Sequence, residues 1–464
     1  MTKIKFGTDG WRAIIAKEYT NDNVARIAEA TAKWMVEKGM KKVVIGYDCR
    51  FGGAMFTDVA TQVYGKHGLH VVRSIGFVST PMISLVVVKT SADMGVVITA
   101  SHNPASYNGY KLKSAYGGPT IPRDIQAVED MIADLPPQDL PSIKSMEQNG
   151  QITTVDMEQI YMDHIEANFD LELIKNSGVN LAYDAMYGAG QNVIKRLFPN
   201  AHLLHCEVNP SFMGQAPEPI ARNLKEISND LATNDALNLG LANDGDADRI
   251  GMFDDEGNFV DSHHILLLLL YYLHEHKGMS GKVVVTFSVT DKMRKLAELY
   301  GLDFEVTKIG FKYIAEIMTL EDVLVGGEES GGLAVKGHIP ERDGIWIGLV
   351  IMEFMAKTGK TINELIQDVY DKVGAFATDR DDLHIDNDKK WAIMDMCKNG
   401  GITHIGDREV IRTESVDGYK FYLSEDDWVM IRPSGTEPVL RVYSQSSSSE
   451  GARALLDAAH KELK

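Results

Sequence analysis

The chain alternates short, continuously apolar, β-branched runs with stretches of helical spacing. KKVVIGYD (41–48), entered from a Gly and Lys turn, predicts a buried strand. The spacing from Phe56 to Tyr64 predicts a helix, and LHVVRSIG and MGVVITA (94–100) predict two more strands. Strand, helix, strand repeats imply a parallel or mixed sheet covered by helices. The pattern restarts with strand ends in VNLAYDAMYGAG (179–190), AHLLHCEV (201–208) and LNLGLANDGDADR (237–249). A third set follows the turn DDEGN (254–258): a leucine-rich helix, then GKVVVTFS, LDFEVTKIG and EDVLVGGEESGG. Strands this uniformly apolar suit burial on both sheet faces. The tail differs. Residues 413–445 alternate polar and apolar positions between turn signals, as a hairpin-rich sheet does, SSSSE (446–450) reads as a short loop, and GARALLDAAHKEL (451–463) reads as a closing helix. The expected architecture is three comparable α/β domains with mixed sheets, 1–150, 151–255 and 256–375, and a smaller α+β domain, 376–464.

The length of 464 residues agrees with several domains, and 44% hydrophobic with 24% charged residues can bury several ordinary cores. Lys and Arg number 47 against 66 Asp and Glu, a net charge of −19. That field opposes nucleic acid and anionic lipid, while a local basic pocket can still gather a small phosphorylated ligand. Cys49, Cys206 and Cys397 lie far apart with no CxxC pair, which points to unpaired thiols in a reducing compartment. The start MTKIKFGTDGW has no apolar signal segment, and the apolar run Ile265 to Leu273 is far shorter than the roughly twenty residues a membrane crossing needs. A cytoplasmic protein without a membrane span is the expectation.

Four islands carry chemistry. In GVVITASHNPASYNGYK (95–111) a strand leads into a loop holding Ser101, His102 and Asn103. Ser101 could be a nucleophile if a neighbour or a metal prepares its oxygen, or the loop could be a turn held by side-chain bonds to backbone. In LGLANDGDADRIG (239–251), Asp244, Asp246 and Asp248 alternate at the end of an apolar strand, with Gly245 allowing a tight path. Oxygen-only ligands favour magnesium or calcium over zinc, and the twelve-residue calcium loop pattern is absent. The alternative is a solvated acidic turn, in which the three carboxylates would repel one another. Arg249 could hold substrate phosphate or neutralise the cluster.

The third island, VLVGGEESGG (323–332), offers Glu328 and Ser330 as acceptors for sugar hydroxyls, or is a glycine-rich turn. Upstream, Lys308 and Lys312 of TKIGFK are either part of that site or surface lysines. The fourth, IRPSGTEPVLRV (431–442), gathers Arg432, Ser434, Gly435, Thr436 and Arg441 into one turn and its return strand. A guanidinium fork with hydroxyls and a glycine-exposed amide is a phosphate cradle without Walker spacing, unless the arginines serve only to pair within the turn. One such loop per expected domain is the distribution of a single cleft where four domains meet.

Together TASHNP (99–104), DGDADR (244–249), GEESGG (327–332) and RPSGTEP (432–438), with the opening FGTDGWR (6–12), resemble the α-D-phosphohexomutases. The resemblance spans essentially the whole chain. It implies four domains around a central cleft and an active phosphoserine enzyme that uses Mg2+ to interconvert 1-phosphate and 6-phosphate sugars through a hexose 1,6-bisphosphate. Carried over by position, Ser101 resembles the phosphoryl carrier, and Asp244, Asp246 and Asp248, with a phosphoserine oxygen, the magnesium ligands. Glu328 and Ser330 resemble the sugar contacts, and Arg432, Ser434, Gly435 and Thr436 the distal phosphate site, with Arg441 a weaker addition. Arg12, His102, Lys111 and Arg249 match basic positions at the reaction centre, Lys111 as a candidate proton-transfer group.

GEES and GFK (310–312) resemble glucose-directed members, whereas dual-specificity enzymes often carry GEMSGH and phosphoglucosamine mutases a GEQSGH-like loop. Gly331–Gly332 departs from all of these forms. Glucose phosphates are therefore the expected substrates, with mannose phosphates as the alternative or additional pair. A non-catalytic phosphosugar-binding protein and a magnesium phosphohydrolase are the alternatives of a different class.

Overall fold

MGVVI, buried at every position, becomes an interior strand of a six-stranded mixed sheet. The computed structural model describes residues 3–7, 9–434 and 438–463. They fall into two compact units, Met1–Ile265 with Gly310–Asn363, and Leu266–Ile309 with Glu364–Lys464.

In the first unit, β1 (Trp11–Ile14), β2 (Lys42–Tyr47), β3 (His70–Ser74), β4 (Met94–Ile98), β5 (Tyr107–Ser114) and β6 (Ile152–Val155) run in the order β1-β5-β4-β2-β3-β6. β4, β2, β3 and β6 are parallel, and β5 and β1 are antiparallel additions at one edge. Parallel neighbours need crossovers. Helix α1 (Asn21–Glu37) joins β1 to β2, and α2 (Gly53–Lys66) and α3 (Thr80–Lys89) fall within the connections from β2 through β3 to β4. The Thr20 and Ser79 side chains cap α1 and α3 by accepting from Asn23 N and Met82 N. Val43, Ile45, Val96 and Ile98 pack with Trp34, Met35 and Tyr110 in one core.

The second sheet of this unit has the order β11-β10-β9-β7-β8, from β7 (Leu181–Asp184), β8 (His202–Leu204), β9 (Leu239–Asn243), β10 (Ile250–Phe253) and β11 (Phe259–Val260). Because Asn243 opposes Ile250 in an antiparallel pair, residues 244–249 form the loop of a hairpin. Strands β12 (Lys282–Thr286) and β13 (Phe304–Thr307), a parallel pair, belong to the second unit. β14 (Val323–Gly327) and β15 (Leu333–Val335), an antiparallel pair, belong to the first.

The tail of the second unit contains β16 (Ala377–His384), β17 (His404–Ile405), β18 (Arg408–Glu409), β19 (Arg412–Glu414), β20 (Tyr419–Tyr422), β21 (Trp428–Pro433) and β22 (Val439–Ser446). Five of them form a sheet in the order β16-β22-β21-β20-β19, and β17 and β18 form a separate ribbon. Val429, Ile431 and Leu440 of the sheet pack against Ile393 and Met394 of helix Asn387–Lys398 and Leu455 and Leu456 of helix Ser449–Glu462.

One reading of the sequence is corrected here. The serine run is not a loop: Ser446 ends β22, and the Ser448 hydroxyl caps the following helix by accepting from Gly451 N. In the first island the strand does lead into a loop that holds Ser101, His102 and Asn103. That loop ends by Ser106, and β5 buries Asn108, Lys111 and Lys113, polar residues that disguise a core strand.

Candidate active site

The end of β4 carries the chain into a loop where Ser101 takes a left-handed backbone, φ +52°. A serine held there is strained, and such strain persists only where the surroundings fix it. Its amide donates to Thr99 Oγ1 at 2.9 Å, and its hydroxyl donates to Asp244 Oδ2 at 2.7 Å and lies 3.2 Å from His102 Nδ1. Ser101 is buried, beside charged groups that water does not screen.

Asp244 belongs to the β9–β10 hairpin loop. One carboxylate oxygen from each of Asp244, Asp246 and Asp248 lies within 4.8 Å of the others, and all three residues are fully buried. Burial, and then the charges of Asp246 and Asp248, push the Asp244 carboxyl well above its ordinary range. Burial pushes Asp246 the same way, but the Lys111 ammonium and hydrogen bonds from Lys111 and Thr80 outweigh it and hold the group low. Oδ1 of Asp246 and Oδ1 of Asp248 are buried without a hydrogen-bond partner among the described residues. Orphaned carboxylate oxygens beside a carboxyl whose charge the site disfavours fit a hard divalent cation.

The left-handed residue of the turn is Ala247, φ +55°. Glycine is required at 245 by proximity: a Cβ there would stand 2.6 Å from the Ser101 carbonyl oxygen, so the serine and aspartate loops touch at this point.

Cations surround the two loops. Lys111 Nζ, delivered by β5, lies 2.8 Å from Asp9, 2.8 Å from Asp246 and 3.0 Å from Asp248. Burial alone would depress its pKa, yet these carboxylates raise it and keep the ammonium charged. Arg12 Nη1 donates to Asn103 Oδ1 at 2.6 Å. The Arg249 amide donates to Asp244 Oδ1 at 3.1 Å, and its guanidinium is 4.0 Å from Glu218. Burial, then Arg249, Arg12 and Lys111, push His102 well below the usual histidine range, so its ring is neutral near pH 7. Ser101, His102, Arg12, Lys111, Arg249 and the three aspartates thus form one neighbourhood in the first unit.

Glu328 follows β14, buried, with its pKa raised to about 7 by burial against the pull of Arg342. Its amide donates to the Gly332 carbonyl, while the Gly331 carbonyl accepts from Ile250 N, tying this turn to the aspartate hairpin. Gly331 has φ +90°, and a Cβ on Gly332 would stand 2.4 Å from Arg342 Cδ. The departure at Gly331–Gly332 therefore has a local reason: the Ile250 carbonyl oxygen stands 2.7 Å from a Cβ at Gly331, and Arg342 occupies the space beside Gly332. Ser330 and Lys312 are half-buried in the first unit, and Lys312 lines a small cavity with Asp9 and Gly10. Lys308 is exposed in the second unit.

Also in the second unit, Arg432 on β21 is the cross-strand neighbour of Arg441 on β22. Arg432 Nε lies 3.2 Å from Asp417 Oδ2, and Arg441 Nε lies 3.8 Å from Asp382 Oδ1. Ser434 is buried, its carbonyl accepting from Lys390 Nζ at 3.1 Å. Gly435 and Thr436 lie outside the described residues.

The sequence reading missed Asp9, Arg342 and Thr80. Arg342 Nη2 bridges Asp9 at 2.5 Å and Asp248 at 2.6 Å, and Thr80 donates to Asp246 Oδ2 at 2.5 Å. Asp9 sits inside FGTDGWR, where its company was the available signal. Nothing local marks Arg342 or Thr80, whose partners are distant in the chain.

The phosphoglucomutase/phosphomannomutase domain descriptions match in order: α/β/α domain I over residues 3–139, domain II over 159–257, domain III over 261–373 and the C-terminal domain over 397–461. A phosphoglucomutase/phosphomannomutase of Thermococcus kodakarensis is 30% identical, covering 99% of this chain and 98% of its own. A phosphoglucosamine mutase of Methanococcus aeolicus is 31% identical, again over 99% and 98%. A crystal structure from Thermus thermophilus, provisionally named a phosphomannomutase, is 32% identical with a TM-score of 0.88 over 99% of both chains. With four matching domains and relatives similar from end to end, this chain belongs to the phosphoglucomutase/phosphomannomutase family of α-D-phosphohexomutases, with three α/β domains followed by a smaller α+β domain.

Proposed function

We propose that the protein is a phosphoglucomutase, interconverting glucose 1-phosphate and glucose 6-phosphate through a phosphorylated Ser101 and a 1,6-bisphosphate. The observation that carries this reading is the Ser101 hydroxyl bonded to Asp244 beside two orphaned aspartate oxygens, in a chain of this family. Asp244, Asp246 and Asp248, with a phosphoserine oxygen, would hold Mg2+, which supplies charge offset to the transferring phosphoryl group.

In the forward half-reaction the P–O bond to Ser101 breaks as a bond forms to the 6-hydroxyl oxygen, and the hydroxyl proton ends on Ser101 Oγ. Lys111 is the proposed relay for that proton, entering as the charged ammonium. Arg12, neutral His102 and Arg249 orient the loop and the phosphoryl oxygens. The bisphosphate then turns over and returns its 1-phosphate to Ser101. Glu328 and Ser330, with Lys312 and Lys308, select the sugar. Arg432, Ser434, Gly435 and Thr436, supported by Arg441, grip the phosphate that is not moving. We keep the domain limits 1–150, 151–255, 256–375 and 376–464 as part of this reading.

Mannose phosphates are the second candidate pair, and the Methanococcus aeolicus relative brings glucosamine phosphates into the test. The experiment is a panel of glucose, mannose, glucosamine and N-acetylglucosamine 1-phosphates with Mg2+ and a trace of the matching 1,6-bisphosphate. Formation of glucose 6-phosphate at the highest kcat/KM supports the assignment, preference for another sugar reassigns the substrate, and inorganic phosphate as main product turns the reading to a phosphohydrolase. Cytoplasmic residence rests on the three unpaired cysteines, and no helix among the described residues is long and apolar enough to cross a membrane.

A further inference from the structure

Arg50 follows β2 and is buried, 3% exposed, yet neither the sequence motifs nor the reaction above uses it. Its Nη2 donates to the Ser101 carbonyl at 2.5 Å and the Asn103 carbonyl at 2.6 Å, and its Nη1 donates to the Pro104 carbonyl at 2.9 Å and the Tyr107 carbonyl at 3.1 Å. Both terminal nitrogens are thus spent on backbone carbonyls of the one loop that carries the serine. Nε lies 3.3 Å from Asp48 Oδ2. The same Asp48 Oδ2 accepts from Thr99 Oγ1 at 2.5 Å, and Thr99 Oγ1 accepts from the Ser101 amide at 2.9 Å. The Phe212 ring closes the assembly, its centroid 4.9 Å from the guanidinium carbon. Burying a guanidinium is costly, and four carbonyls, a carboxylate and an aromatic face offset that cost only in this one arrangement.

We propose that Arg50 is a positioning residue for phosphoryl transfer: with Asp48 and Thr99 it fixes the strained backbone of Ser101, so that the oxygen returns to one place beside the aspartate cluster in every cycle. The proposal rests on reading Ser101 as the phosphoryl carrier. A rigid loop is needed there because Ser101 alternates between a hydroxyl and a dianionic ester, two states that pull differently on Asp244 and the surrounding cations. Among the described residues the guanidinium's hydrogen bonds go to main-chain carbonyls and its ion pair to Asp48, none of them to the serine hydroxyl oxygen, so its grip does not depend on which state is present. Lysine keeps the charge but lacks the planar fork and cannot reach both pairs of carbonyls.

Arg50→Lys tests this in the full-length enzyme, with Ser101→Ala alongside. The expected result is a kcat lower by about 100-fold, the cost of displacing a reacting atom by about an ångström, with KM for glucose 1-phosphate changed less than about threefold. Phosphorylation of Ser101 by glucose 1,6-bisphosphate, followed by intact mass, should slow in the same proportion, and Mg2+ affinity should stay within about twofold of the parent. A purely structural role would instead lower the folded fraction and leave kcat per folded molecule unchanged, and that result overturns the proposal. If Arg50→Lys does not fold, Thr99→Val carries the test. It keeps the shape and removes the bond to the serine amide, so kcat should fall about tenfold, and parent kcat would defeat the clamp. Turnover retained by Ser101→Ala would overturn the carrier reading and the clamp together. An inactive Ser101→Ala beside a fully active, folded Arg50→Lys would overturn the clamp alone.

Discussion

The serine and aspartate loops of the first unit and the arginine turn of the second, each taken by itself, solve opposite problems. In the first, Asp9, Lys111, Asp246, Asp248 and Arg342 are locked in contacts of 2.5 to 3.0 Å, with every side chain but that of Asp9 buried. In the second, Arg432 lies 3.2 Å from Asp417 and Arg441 sits 3.8 Å from Asp382, with side chains 15% and 26% exposed. Groups that stabilise charge developing during a reaction gain most when desolvated and fixed beforehand. Groups that must take either end of a bisphosphate and release it gain from a loose partner that a phosphate can displace. On the function proposed above, the contrast suits the first region to the chemical step and the second to reversible grip.

Removing the serine oxygen should separate the two most sharply. Ser101→Ala should abolish mutase turnover by at least about 10⁴-fold while monophosphate binding, followed by calorimetry, persists; residual turnover near the parent would erase the distinction. Asp246→Asn comes next. Loss of one charge from the cluster should weaken Mg2+ binding and lower kcat by about 100-fold or more, and unchanged Mg2+ affinity would remove the aspartates from the metal site.

Arg432→Lys probes the other side. With the fork gone, KM for the 1-phosphate and the 6-phosphate should both rise about tenfold, the loss of roughly one charge-assisted bond, while kcat changes less than about threefold. A large kcat loss with unchanged KM would place the turn in the chemistry. A destabilised variant with unchanged affinities would instead make the Arg432–Asp417 pair a brace of the tail sheet.

The smallest effect concerns Glu328, whose folded pKa of about 7 lies above the ordinary value of 4.5 because burial disfavours its charge. The native state therefore holds its proton where the unfolded chain has lost it, and stability falls as pH rises from about 4.5 through about 7. Glu328→Gln removes that dependence. The Tm of the variant relative to the parent should rise between pH 5 and pH 8 in thermal scans, and a constant offset would show that Glu328 is charged throughout.

The strands that could be read from sequence, such as KVVIGY and MGVVI, are buried along most of their length and apolar at the buried positions. β5, whose YNGYKLKS buries two lysines, and β16, whose ATDRDDLH exposes Arg380, Asp382 and His384 on alternate positions, were hidden because their polar residues line the aspartate cluster or face solvent. The aspartate cluster was legible because its ligands lie within five consecutive residues. Its cationic half was legible only in part, Lys111 through the family resemblance and Arg342 not at all. Arg342 reaches Asp9 across 333 positions and Asp248 across 94, and no local pattern encodes such pairs. Arg50 shows the same limit: its partners are main-chain carbonyls, which carry no residue identity.

The central claim is that a phosphoryl group travels on Ser101 between the two ends of one sugar. The direct measurement is a single-turnover transfer: enzyme phosphorylated with radiolabelled phosphate is mixed with unlabelled glucose 1-phosphate and Mg2+ and quenched over milliseconds. The account predicts that label leaves a peptide containing Ser101 and appears first in glucose 1,6-bisphosphate and then in glucose 6-phosphate, with none loaded on Ser101→Ala. Label released mainly as inorganic phosphate, or carried on another residue, would contradict it.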